Sequence, residues 1–288
     1  MAHSRDASWE DFDAVFDLLD ARSRAAFGIS EQKPEYLRQR WELPAHQRWV
    51  SVEGDRITGY ASLDEDQEFE LAAREPAVGD ALLALVEHHA RAHGFDQISA
   101  TAVPEDEPLY ALLQRSAFTL DREILRRWRS LDGELPEPAW PAGVNLRTYD
   151  DADGLAVHAL LDEAYADWDR DHVARSHEGW LAFMTAHGGF DPDVWFLVER
   201  DDDLIACALH WKESQGRGGV KDIVVRESER GNGLGKALLQ HAFRTYAARG
   251  VERVGLKVDS TNPTGAPQLY ERLGFVTDQR LGIWQKRL

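Results

Sequence analysis

A chain of 288 residues, 43% of them hydrophobic, is long enough to bury cores for two domains of roughly 100 to 150 residues each. Its formal net charge of -18 repels a phosphate backbone, which argues against nucleic acid and anionic membrane surfaces and favours an amine-bearing small molecule as partner. A single cysteine, Cys207, excludes an intramolecular disulfide and a cysteine-based metal site, and a polar amino terminus without any long apolar run gives the expectation of a cytoplasmic protein.

In chain order, RWVSVEGDRITGYASLDE from Arg48 predicts a strand, a turn and a second strand. REPAVGDALLALVEHHARAHGFDQISA from Arg74 then predicts a helix followed by a strand. His89 and His93 stand four apart on that helix, which is metal-ligand spacing, but no third ligand is near and no metal is expected. Between Asp132 and Gly143, prolines at 136, 138 and 141 with glycines at both ends rule out a continuous helix or a central strand. The expected division is therefore 1–135, a Pro-rich linker 136–143, and 144–288.

The second half repeats the first. VWFLVERDDDLIACALHWK predicts strand, acidic turn and strand, with Trp195 answering Trp49 and Ile205 answering Ile57. RGNGLGKALLQHAFRTYAARGVERVGL lies on the segment from Arg74 without a gap, and LYERLGF lies on LLQRSAF, so that Tyr270 falls where the first copy has Leu113. Two copies of one fold explain this. VKDIVV reads as a buried strand, Lys236 to Gly250 as a helix with a glycine end, VERVGLKV as a strand, PQLYERLGF as a short helix, and FVTDQRLGIWQKRL as a closing pair of strands.

The glycine turn RGNGLG, residues 230–235, opens the helix. A Walker A loop fails because Arg230 stands where its first glycine belongs and Ala237 where its Ser or Thr belongs. A dinucleotide fingerprint fails because Lys236 replaces its third glycine. What remains is Arg-x-x-Gly-x-Gly at a helix start, where backbone N–H groups of Arg230, Asn232, Gly233 and Gly235 would face a phosphate and the helix dipole favours an anion. Gly233 and Gly235 are expected to serve close approach or an unusual φ.

This turn, the strand DIVV before it, the helix after it and the later PTGAPQLYERLGF together resemble the GNAT N-acetyltransferase superfamily. The resemblance implies a mixed α/β fold in two tandem GNAT-like domains, the amino-terminal one degenerate because Pro76 removes an amide, Ala77 adds a methyl and Leu113 replaces the tyrosine. It implies acetyl-CoA as co-substrate, no metal, and a pyrophosphate cradle of Arg230, Gly231, Asn232, Gly233, Leu234, Gly235 and Lys236. The strand DIVV would splay from VGLKV, so that Ile223, Val224 and Val225 pair with the pantetheine arm, and Asn262 would touch the same arm.

Tyr270 holds the position of the family's general acid. For the base, the family's strand glutamate falls on Gly219, and Asp222, three residues on, should point to the opposite face of the strand. His210 on the neighbouring strand is the alternative, and a water relay needs no dedicated base. Glu163 and Asp167 are expected to line the acceptor pocket. The function expected is an N-acetyltransferase acting on a small-molecule primary amine; the alternatives are an acyl-CoA-binding protein without turnover and a protein N-acetyltransferase. A monomer is plausible, since the two copies lie in one chain.

Overall fold

The computed structural model describes residues 3–28, 30, 32–42, 47–166, 176–186, 189–212 and 216–288. They form two compact units, Met1–Ile124 with Arg280–Leu288, and Leu125–Gln279. The first half of the chain contains β1 (His3–Asp6), α1 (Phe12–Phe27), α2 (Pro34–Glu42), β2 (Gln47–Glu53), β3 (Arg56–Leu63), β4 (Phe69–Ala73), α3 (Pro76–Ala92), β5 (Gln97–Ala102), α4 (Glu107–Arg115) and β6 (Thr119–Ser130). Next come β7 (Asn145–Thr148), α5 (Gly154–Ala166), α6 (His177–Ala186), β8 (Phe196–Arg200), β9 (Asp203–Lys212) and β10 (Arg217–Val225). The chain closes with α7 (Leu234–Ala248), β11 (Arg253–Asp259), α8 (Ala266–Arg272) and β12 (Val276–Arg287).

The division between the units falls inside β6, between Ile124 and Leu125, and again inside β12, between Gln279 and Arg280. The Pro-rich segment 136–143 lies within the second unit. In the first unit β1, β2, β3 and β4 pair antiparallel in that order. Strand β5 pairs antiparallel with the end of β12, from Gly282↔Ala102 to Arg287↔Gln97. Helix α3 buries Leu82, Leu83 and Val86 against Leu71 and Ile98, while α1 buries Val15, Leu18 and Leu19 near Val50 and Tyr60. The rings of His89 and His93 are stacked with centroids 3.9 Å apart, rather than opened toward a shared ion.

In the second unit the strand order is β6, β11, β10, β9, β8, β7. Asp201 and Asp202 take φ values of 52° and 65°, the left-handed pair that a two-residue hairpin turn requires, and so join β8 to β9. Trp195 is fully buried and its indole N–H donates to the His210 carbonyl at 2.9 Å. Two glycines make room for large rings, one across layers and one between neighbouring strands. A β-carbon at Gly218 of β10 would stand 2.7 Å from the Tyr246 ring of α7, and one at Gly255 of β11 would stand 2.7 Å from Trp128.

The expected pair of closing strands is one strand of 12 residues, β12. Gly282 does not turn the chain: a β-carbon there would meet Leu120 at 2.8 Å and the Ala102 carbonyl at 3.4 Å, so the glycine serves lateral packing in a continuing strand.

Candidate active site

The site begins where two parallel strands part. β10 and β11 pair from Arg217↔Arg253 to Val220↔Leu256, and the ladder ends there. β10 continues on its other side against β9, through Ile223↔Ala208 and Val224↔Cys207 to Val225↔Ala206. The backbone edge of Ile223, Val224 and Val225 that faces away from β9 is therefore open, which is the geometry for adding an extended ligand as a strand. Burial alternates along it, with Val224 at 8% exposure between the half-buried Ile223 and Val225.

A single turn of 3-10 helix, Glu227–Glu229, leads from this strand to the glycine turn. Arg230 Nε donates back to the Val225 carbonyl at 3.0 Å, tying the turn to the end of the open strand. Gly231 and Gly233 have φ of 81° and 86°, and no atom lies within 4 Å of either β-carbon position; they are needed for backbone conformation. Gly235 is different. Its φ is ordinary, and its absent β-carbon would stand 3.4 Å from Leu269 and 3.9 Å from Val225, in the space between α8 and β10.

Helix α7 has Gly233 as its N-cap and no side-chain cap. Its first backbone bond runs from Ala237 N to Gly233 O at 2.9 Å, so the amides of Leu234, Gly235 and Lys236 have no acceptor within the helix. The Arg230 amide does not join them, contrary to expectation, because it donates to the Glu227 carbonyl at 3.1 Å. Asn232 is exposed, with its side chain 3.4 Å from the Glu229 carbonyl. These open amides and a flanking, exposed Lys236 fit the charge and reach of a pyrophosphate.

Across the gap, α8 carries Tyr270, only 6% exposed, with its ring edge-on to Phe275 at 5.7 Å. Burial and the neighbouring Asp222 carboxylate push the Tyr270 phenol above its ordinary range, and Arg127 opposes them. Asn262 does not reach toward β10 by its oxygen: Oδ1 accepts from the Thr264 amide at 2.9 Å and hydroxyl at 2.6 Å, closing the loop before α8.

Asp222 is the largest departure from the sequence expectation. Gly219 pairs with Trp211, Val220 with His210, and Asp222 with Leu209, so Lys221 is an extra residue, a β-bulge. Residues directly opposite on paired strands share a face, and Trp211 and Leu209 lie two apart on the same face of β9. Asp222 therefore lies on the same face as Gly219; the bulge cancels one step of the alternation. There the Tyr165 hydroxyl of α5 donates to Asp222 Oδ1 at 2.5 Å, and Lys221 Nζ stands 3.3 Å from Oδ2. Tyr165 carried no motif to mark it. Burial, foremost, and Asp222 raise its phenol well above the usual range.

His210 lies on the opposite face, its ring edge-on to Phe196 and to Tyr246 of α7. It is completely buried, and burial holds its imidazole down to about 3, so it stays neutral and away from the Asp222 cluster. Glu163 is an exposed residue of α5 beside Arg226 at 3.9 Å, and Asp167 lies outside the described residues. Among the described residues no group of three or more His, Cys, Asp or Glu could hold a metal ion.

The corresponding turn of the first unit is filled by helix. α3 starts at Pro76, and the amides of Val78 and Gly79 donate to the Glu75 carbonyl at 3.1 and 3.2 Å. Leu113 is fully buried.

A strand that leaves its parallel neighbour and runs into an uncapped helix start is the architecture of an acyltransferase that holds acyl-coenzyme A as an added strand. Known proteins carry this class to a family. The Acetyltransferase (GNAT) family profile matches residues 155–275. The chain is 33% identical to the mycothiol acetyltransferase of Streptomyces avermitilis, over 93% of this chain and 89% of that one. It is 34% identical to the mycothiol acetyltransferase of Kineococcus radiotolerans, over 91% and 89%. In fold it resembles a GCN5-related N-acetyltransferase from Sphaerobacter thermophilus (TM-score 0.79, 24% identity, 99% of this chain and 95% of that one). It also resembles a tandem GNAT protein from the clavulanic acid biosynthesis pathway (TM-score 0.77, 19% identity, 100% and 98%). The chain belongs to the GNAT acetyltransferase family, in its tandem form. It is an N-acetyltransferase, and acetyl-CoA is its acetyl donor.

Proposed function

We propose that the second unit carries the transfer, and that the acceptor is the primary amine of a small cationic molecule. The single observation behind this is the open edge of β10 beyond Val220, set beside the uncapped amides of Leu234 to Lys236 and below Tyr270. The amides of Gly231 to Lys236 hold the pyrophosphate, and the edge of Ile223 to Val225 orients the pantetheine arm. An amide of that edge polarises the thioester carbonyl, an interaction typically worth about 2.7 to 4 kcal/mol of barrier. The neutral amine attacks that carbonyl, and Tyr270 gives its proton to the departing thiolate.

The relatives' name makes mycothiol chemistry the first acceptor class to test. The two copies lie within one chain, which supports action as a monomer. The first unit is degenerate: the amides of Val78 and Gly79 already have an acceptor, and Glu75 stands at the helix start where an anion would bind. The test is loss of thioester absorbance on incubating the chain with acetyl-CoA and a panel of small primary amines. Tight acetyl-CoA binding with no loss above hydrolysis for any amine overturns the catalytic reading.

A further inference from the structure

The Asp222 carboxylate is 5% exposed and sits two residues beyond the point where β10 and β11 part. The groups facing it come from four elements: Tyr165 on α5, Cys207 on β9, Tyr270 on α8, and Lys221 beside it on β10. Cys207 is fully buried and its thiol is pushed up by burial, so it stays neutral. Both phenols likewise stay protonated. Among the described residues of this group the only cation is a primary ammonium, Lys221 Nζ, 3.3 Å from Oδ2 and 5.7 Å from the centre of the Trp211 indole ring. The Lys221 side chain is 33% exposed, so it has room to withdraw. Carboxylate, indole face and phenol around an ammonium make a receptor for a primary amine.

We propose that Asp222 is the base for the acceptor amine and that Tyr165 is its positioning residue; this rests on the acetyl transfer proposed above. The incoming ammonium takes the place of Lys221 Nζ against Oδ2, while the Tyr165 hydroxyl keeps Oδ1 and so aims the other oxygen at the cleft. One N–H bond of the ammonium breaks and an O–H bond forms on Asp222, which later gives this proton to solvent. The freed electron pair forms the N–C bond to the thioester carbonyl carbon. On collapse the C–S bond breaks, the sulfur takes the Tyr270 proton, and the second proton lost by nitrogen restores that phenol. The bulge at Lys221 is the device that makes this possible, since an unbroken alternation would turn Asp222 away.

The test uses Asp222→Asn, which keeps shape and an acceptor for Tyr165, with strongly basic ethanolamine, glucosamine and weakly basic aminoacetonitrile as probe amines. We expect Asp222→Asn to lower kcat/KM about 10²- to 10⁴-fold for ethanolamine. Aminoacetonitrile, already neutral near pH 7, should lose far less, and the acetyl-CoA Kd should not change. Tyr165→Phe should lower kcat with KM held. Adding Gly219→Glu to Asp222→Asn should restore part of the ethanolamine activity, because both positions share a face. Equal losses for basic and weakly basic amines, or an Asp222→Asn enzyme as active as the wild type, overturn this inference alone. A wild-type chain that binds acetyl-CoA and acetylates none of the probes overturns the reading beneath it.

Discussion

Arg127 reaches from β6 to the helix that carries Tyr270: its guanidinium donates to the Pro267 carbonyl at 2.8 Å and to Glu271 at 3.0 Å. The two bonds are unequal in value. The Arg127 side chain is 5% exposed and Glu271 63%, so the ion pair is solvent-screened while the bond to the buried carbonyl is not. Glu271→Gln should cost less than about 1 kcal/mol of stability. Arg127→Met should cost about 1.5 to 3 kcal/mol and reduce kcat, since α8 loses its anchor beside Tyr270, the proposed acid. Urea unfolding and steady-state kinetics of the two variants check this; equal effects would show that the exposed carboxylate matters as much as the carbonyl.

Tyr270→Phe should lower turnover by roughly 10²- to 10⁴-fold with little change in acetyl-CoA affinity. An unchanged turnover would remove Tyr270 from the mechanism.

The raised phenols carry a stability consequence. Tyr165 and Tyr270 both titrate above the ordinary tyrosine value in the folded chain, so the unfolded chain loses those protons first. Their contribution is fully present below about pH 10 and is lost as pH rises beyond it. Alkaline unfolding should be shallower in Tyr165→Phe than in the wild type, measured by denaturant midpoints between neutral and alkaline pH.

His210 acts in the opposite direction. Its folded value of about 3 lies below the ordinary histidine value of about 6.5, so the unfolded chain binds a proton that the folded chain refuses. Stability should therefore fall as pH drops from about 6.5 toward 3. His210→Gln should flatten this acid limb, whatever it does to stability at neutral pH, and should leave the pH profile of turnover unchanged.

Gly233→Ala forces a β-carbon into a φ of 86° at the N-cap of α7. The strain is about 1 to 2 kcal/mol, and relief by a shift in φ would move the amides of Leu234 and Gly235. Acetyl-CoA affinity should drop, with one equivalent bound per wild-type chain by calorimetric titration. Two equivalents would contradict the filled turn at Pro76.

Much of this site is written locally. The turn could be sorted from its competitors by residue type at fixed spacing, because Gly231 and Gly233 must adopt positive φ and only glycine does so freely. The helix after it and the tandem repeat are legible because each rests on residue types at fixed, short spacing. The closing segment reads as a pair of strands yet forms one, because Gly282 within it packs against Leu120 and Ala102, which lie far off in sequence.

What the sequence by itself determined was the turn proposed to hold acetyl-CoA: positive-φ glycines before a helix start, a matter of a few neighbouring residues. The tertiary structure alone decided the setting of Asp222. Whether Asp222 faces the cleft depends on one unpaired residue, Lys221, and that bulge exists only through the register of β10 on β9. Register is a property of two strands, and shifting it by one residue exchanges the faces of everything beyond it. Only that pairing brought Asp222 under Tyr165 and withdrew His210 to the far side of the sheet.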